Sequence, residues 1–244
     1  MANTFKLPTE IVVLPSKGLL YPEDSPLSKG ELEMKYMTAK EEDILTNQNY
    51  IQSGIVIDKL LESLIVTQGA KYNDLLIGDK NAVMIAARIL SYGKDYPIKY
   101  RGEEIIVDLS ELNHKEIDFE LLKDRKNQFS YTLPNSGVPV TFKILNHSDE
   151  KGIEAEEAGL QKINKDNSAS VTTRLKSMLT SVNGSKESKD IREFVDNYLL
   201  ATDARALRDE YGKVSPDINF KVKTGVGEEE IDLPIGIGFF WPEL

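Results

Sequence analysis

His114 and His147 are the two imidazoles in 244 residues, and cysteine is absent. Disulfides, thiolate zinc sites and cysteine nucleophiles are therefore excluded together. Neither histidine has a metal-ligand partner or a nucleophile at a helical or strand spacing. His114 lies in the polar run Asn113-His114-Lys115-Glu116, and His147 follows the helix-capping type Asn146. Both read as surface side chains. Asn164-x-Asp166-x-Ser168 opens like a calcium loop, but such a loop needs Gly at its sixth position and Glu at its twelfth. Ala169 and Leu175 stand there instead. The phosphate-loop pattern Gly-x4-Gly-Lys-Ser/Thr does not occur. Gly225-Val226-Gly227 and Gly236-Ile237-Gly238 lack the third glycine and the following helix of a dinucleotide fingerprint. Carboxylates remain as acid–base groups. Glu154, Glu156 and Glu157 read as a solvated helix face and 228–230 as a turn, with no marked hydrolase pair among them. The chain is expected not to be an enzyme and to need no cofactor or metal. A carboxylate-based hydrolase stays open as the alternative.

Charge narrows the partners. Forty acidic against 30 basic side chains give a net charge of −10. Such a chain repels phosphate, and its lysines and arginines are scattered rather than clustered, so no nucleic acid is expected. No small-molecule motif is present. No apolar run approaches the roughly 20 residues of a membrane helix, and residues 1–6 lack an apolar signal core. The expected address is the cytoplasm.

The elements that carry these residues read as α+β. Ile11-Val12-Val13-Leu14 is a β-branched run ended by the turn Pro15-Ser16-Lys17-Gly18, and 31–37 alternates as a strand. Thr38-x-x-Glu41 is a capping box that starts a helix ending near Asn47. A second helix is expected from 50 to 66. A third is capped at Asp79, with Ala82, Ile85, Ala86, Ile89 and Leu90 as its buried stripe. A hairpin turns at Arg101-Gly102, and 112–122 is a short helix or loop. Strands at 129–133 and 138–145 flank another turn. The chain is then helical from 149 to 211, the best segment being 189–200, with a loop at Asn183-Gly184-Ser185. A last hairpin spans 218–240.

The order strand, cap, helices, Tyr-Gly-Lys, hairpin occurs twice. Met34-Lys35-Tyr36-Met37-Thr38 parallels Phe142-Lys143-Ile144-Leu145-Asn146, and Tyr92-Gly93-Lys94 parallels Tyr211-Gly212-Lys213. Ile98-Lys99-Tyr100 is set against Ile218-Asn219-Phe220, and Asp108-Leu109 against Asp232-Leu233. Either the chain is duplicated or common helix and strand signals coincide. Duplication predicts two α+β lobes, 1–125 and 126–244, each packing short antiparallel hairpins on a helical segment.

Two segments suit partner contact. The proline-framed arm 14–22 brings Leu19, Leu20 and Tyr21 together. The segment 233–242 carries Phe239, Phe240 and the single tryptophan, Trp241. Each is either a part of the core or a partner anchor. For the second the core strand is favoured, and Trp241 is the side chain expected to stand free.

Leu14-Pro15-Ser16-Lys17-Gly18 with Tyr21-Pro22, then Met37-Thr38-Ala39-Lys40-Glu41 running on to Asn47, form the more specific part of a longer pattern. Gly78-Asp79-Lys80-Asn81, Tyr92-Gly93 and Phe239-Phe240-Trp241-Pro242 extend it. The pattern resembles the baseplate hub assembly proteins of T4-type contractile-tailed phages. That resemblance implies a late product of the hub pathway, acting as a hub subunit or as a hub assembly catalyst, with no catalytic residues to carry over. Some relatives carry Cys-x-x-Cys in the hairpins after Tyr-Gly. Here Arg101-Gly102 and Val226-Gly227 hold those turns, which argues against zinc. The expectation is a non-enzymatic assembly factor, or chaperone, that binds other hub and tail proteins in the host cytoplasm. A structural subunit retained in the virion baseplate is the alternative, and self-association stays open.

Overall fold

The computed structural model describes residues 7–163, 169–223, 230–235 and 237–240. The segments 164–168 and 225–227, Gly236 and Trp241, singled out above, lie outside them. Among the described residues the fold is α+β, with small antiparallel sheets of two or three strands set between helices.

Strands β1 (Thr9–Val13) and β2 (Glu31–Lys35) form the first hairpin. Leu32 and Met34 alternate into the core while Glu31 faces out. The connecting arm turns at Lys17 and Gly18, both at positive φ. A Cβ on Gly18 would lie 2.3 Å from the Ser28 carbonyl oxygen, so glycine is required there. The capping box forms as expected: the Thr38 N–H and hydroxyl donate to Glu41 at 3.0 and 2.6 Å and start α1 (Ala39–Leu45). This helix stops short of Asn47, whose side chain caps α2 (Gln48–Gln52) instead. Gly54, at φ 70°, splits the expected second helix into α2 and α3 (Val56–Leu64). The third helix, α4 (Ile77–Tyr92), ends at Gly93. Strands β3 (Asp95–Tyr100) and β4 (Glu103–Asp108) follow, joined through Arg101-Gly102 with φ positive at both residues, the turn that matches hairpin twist.

The second half opens with β5 (Phe129–Thr132) and β6 (Pro139–Phe142). Helices α5 (His147–Ile163) and α6 (Ser170–Met178) come next. Leu179–Val182, expected as helix, is instead β7, a third strand on β6. Then come α7 (Ser188–Asn197), α8 (Ala201–Val214), β8 (Lys221–Lys223) and β9 (Glu230–Asp232). The region 112–122 carries no α-helix, only short 3-10 turns at Leu109–Glu111 and Phe119–Leu122 capped by Asp108 and Asp118. Ile237–Phe240 is likewise a 3-10 turn rather than a strand. The buried apolar side chains form one cluster that runs from Leu14 to Phe240.

Three local arrangements occur in both halves. Lys35 pairs with Glu41 at 2.7 Å and Lys143 with Asp149 at 2.7 Å. Each acid accepts the backbone N–H of a cap three residues earlier, Thr38 or Asn146. Met34 bridges Ile65 just past α3, as Phe142 pairs with Leu179 just past α6. Asp79 and Asp203 are each the third residue of their helix. They accept the N–H of Ser16 at 2.9 Å and of Asn135 at 2.8 Å, in turns opened by Leu14-Pro15 and Leu133-Pro134, whose leucines are buried. Other matches shift. Gly93 ends α4, whereas α8 runs through Gly212 to Val214. The hairpin register sets Asp95 in the place of Lys221, so Ile98 does not fall in the place of Ile218.

Candidate functional site

The first turn of α4 is where the chain's distant parts meet. Asp79 is fully buried and accepts from the Ser16 N–H at 2.9 Å, the Ser16 hydroxyl at 2.6 Å and the Tyr21 hydroxyl at 2.6 Å. The Tyr21 oxygen in turn accepts the Leu76 N–H at 2.9 Å, satisfying an orphan donor at the helix start. Burial pushes the Asp79 carboxyl above its ordinary range, against the lowering effect of its donors. Burial, reinforced by Asp79, drives the Tyr21 phenol well above its ordinary value, so it remains a proton donor. Gly78 admits a crossing strand of backbone: a Cβ there would lie 1.9 Å from the Pro216 carbonyl oxygen. Lys80 pairs with Glu150 of α5, and Asn81 donates to Asp217 at 2.9 Å. Four consecutive residues thus hold the arm, α5 and the segment after α8.

Lys80 also borders a polar cluster centred on His147, which is buried rather than on the surface as expected. His147 sits at the start of α5, its ring 4.6 Å from that of Tyr72. Its Nε2 lies 3.1 Å from Asp58 of α3, and its Nδ1 is 3.7 Å from Glu150 and 3.5 Å from Lys80. Lys151 reaches the second Asp58 oxygen at 2.9 Å, and the Tyr72 hydroxyl donates to Asp58 at 3.2 Å. Burial lowers His147, but Asp58 and Glu150 outweigh it and hold the imidazole above its ordinary value. Burial works against Asp58 too, yet His147 and Lys151 hold that carboxyl far below its usual range. His147 and Lys80 bring Glu150 down to about 2. Both carboxylates are therefore ionised across the physiological range. The hydroxyl at hand is that of Tyr72, whose deprotonation burial and Asp58 suppress. Nothing in this geometry activates a nucleophile. It is an ion-pair clamp joining α3, α4 and α5.

Sequence reasoning missed the clamp because its members are dispersed: Lys80 and His147 are 67 residues apart. The residues expected to make partner contacts sit as follows. Leu20 and Tyr21 are buried, at the wall of a groove of about 620 Å³ whose other side is Arg125, Lys126, Asn127 and Asn146. Leu19 is half-buried against the core. Phe239 and Phe240 are buried in it, Phe239 edge-on to Tyr96 at 5.0 Å and to Phe240 at 5.2 Å. These two chain ends are not brought together into one surface: the arm meets α4 at its start, while Arg88 and Gly93 mark the other end of that helix, beside Tyr96. Among the described residues no group of histidines and carboxylates is arranged to hold a metal ion, and no helix is long and apolar enough to cross a membrane.

A family model described as T4 bacteriophage base plate protein matches residues 14–241, from the arm through both halves. No curated protein and no solved structure matches the chain.

Proposed function

Because the chain belongs to the T4 bacteriophage base plate protein family, we propose that it is a non-enzymatic assembly factor that binds hub components while the baseplate is built. The observation that carries this reading is the match over 14–241, which takes in the arm, the first turn of α4 and both halves. The use of the buried polar groups supports it. Asp79, Asp203, His147 and Asp58 all face donors or ions of the chain itself, which serves rigidity rather than turnover. The paired Asp79 and Asp203 turns support a chain of two related lobes, 1–125 and 126–244. The net charge of −10 suits a factor that stays dissolved in the host cytoplasm until it meets a partner. In this reading Leu19, half-buried at the surface of the arm, is the described member of the two expected contact segments that a partner can reach; Trp241 lies outside the described residues. Leu20, Tyr21, Phe239 and Phe240 are buried in the core.

Quantitative mass spectrometry of purified particles beside infected-cell lysate tests the proposal. The expected result is a protein abundant in lysate and absent from particles. Recovery at a fixed ratio to tail proteins would make it a retained structural hub subunit instead.

A further inference from the structure

Strand β1 is the edge of its sheet. The Tyr36 N–H donates to the Pro8 carbonyl, and the Leu14 N–H to that of Gly30. In an antiparallel ladder this sets the phase. Glu10 and Val12 turn their backbone groups to β2, and those of Thr9, Ile11 and Val13 point to the open side. An unpaired edge of this kind is a template for another strand. Beside it lies a groove of about 400 Å³ walled by Ala82, Ile85, Ala86 and Ile89 of α4. On the outer face of the hairpin Ile11 and Val13 are 56% and 57% exposed.

The second half is an internal control. Counting back from the buried leucine of each turn, Ser130 and Thr132 replace Ile11 and Val13. Counting on from each buried aspartate, Asp209, Glu210 and Lys213 replace Ile85, Ala86 and Ile89. The same scaffold therefore tolerates a polar edge and a polar helix wall. Ala82 and Ile85 are buried and serve the core, whereas the exposed Ile11 and Val13 are not a demand of the fold.

Charge identifies the occupant. Glu31 and Glu33 stand opposite Val13 and Ile11 across the hairpin, and Glu10 lies on the groove. His114, the other titratable group there, is held below its ordinary value by partial burial and Lys17. No lysine or arginine lines the groove among the described residues. A second copy would bring another chain of net charge −10 and a second set of these carboxylates. We propose that the open edge of β1 takes up an extended segment of a separate tail protein as an added strand. Its apolar side chains would enter the α4 wall, alternating with lysine or arginine over Glu31 and Glu33. The proposal rests on the reading of this chain as a protein-binding assembly factor and names where and what it binds.

The test places a photo-crosslinking benzoylphenylalanine at Ile11 and, as control, at Ser130, in full-length protein expressed in infected cells. The Ile11 probe is expected to capture one tail protein through a segment of alternating apolar and basic residues, and the Ser130 probe to capture none. Capture of the same chain, of a second copy, or equally at both positions overturns the proposal. In parallel, Ile11→Lys, Ile11→Pro and Ser130→Lys are supplied to phage lacking the gene, with melting temperatures confirming that each folds. Proline removes the outward N–H of Ile11, along with its side chain, without taking a donor from the β1–β2 ladder. Both Ile11 variants are expected to reduce plaque yield about tenfold or more, while Ser130→Lys does not. Full yield from the Ile11 variants, where phage without the protein fails, sinks the edge proposal and leaves the assembly role standing. Full yield without the protein overturns both.

Discussion

Asp79 accepts its three hydrogen bonds from neutral donors, so its worth lies in what its loss would leave behind. Asp79→Ala strands the Ser16 N–H and hydroxyl and the Tyr21 hydroxyl in the interior. Each stranded group costs about 1–3 kcal/mol, and they share one site, so a loss of about 3–5 kcal/mol is expected in urea unfolding. Asp79→Asn, which keeps one acceptor, is expected to lose less. His147 makes stability depend on pH in a defined direction. Its folded value lies above 6.5, so its contribution is complete below pH 6.5 and is lost as pH rises through that folded value. Glu150, at about 2 against an ordinary 4.5, and Asp58, lower still, contribute above their ordinary values and lose that contribution on acidification. The clamp is therefore complete between about pH 4.5 and 6.5. His147→Gln is expected to flatten the fall of melting temperature on the alkaline side of that window. At this scale the sequence shows residue types better than partners. Asp79 was expected to cap its helix, but α4 starts two residues earlier and Asp79 instead accepts from Ser16, 63 residues before it. His147 looked solvent-facing because Asp58 and Lys80 are supplied by two other helices.

Elements were legible where their signals are local. The Thr38–Glu41 capping box and the Arg101-Gly102 turn each follow from residues within one turn of each other, and both formed as expected. Strand β7 was not legible, because Leu179–Val182 becomes a strand only through pairing with β6, almost 40 residues earlier. Glycines show the same division. Gly78 and Gly212 both sit inside helices, where glycine is intrinsically unfavourable by about 1 kcal/mol relative to alanine. Gly212→Ala is expected to stabilise by about 0.5–1 kcal/mol, since a Cβ there meets nothing within 4 Å. Gly78→Ala must displace Pro216 and is expected to destabilise by about 2 kcal/mol or more, as overpacking does. Paired chemical denaturation curves of the two variants check both signs.

At the scale of the whole molecule the halves are interlocked. Ile77 donates to the Leu145 carbonyl and His147 to that of Leu75, while Lys115 and Asn113 exchange backbone bonds with Asp217 and Asn219. Residues 1–125 expressed alone are therefore expected to show no cooperative urea transition, and mixing with 126–244 to restore one. The Tyr-Gly pairs that suggested a duplication in the sequence do not coincide in the fold, and the clearest of the arrangements that do recur were not legible there. They are Leu14-Pro15 and Leu133-Pro134 with their distant aspartates, which only a folded chain brings together. The seating of Asp217 against Asn81 also has a consequence in time. These residues are 136 positions apart, and a ribosome adding about 5–20 residues per second takes roughly 7–27 s to travel between them. For most of that interval each nascent chain carries an α4 whose first turn lacks its contact with Asp217. The arm can close on Asp79 early, whereas the other side must wait for residues made 136 positions later. Newly made protein thus passes through a phase in which this side is open, and a chain truncated just after α8 cannot complete its own seal.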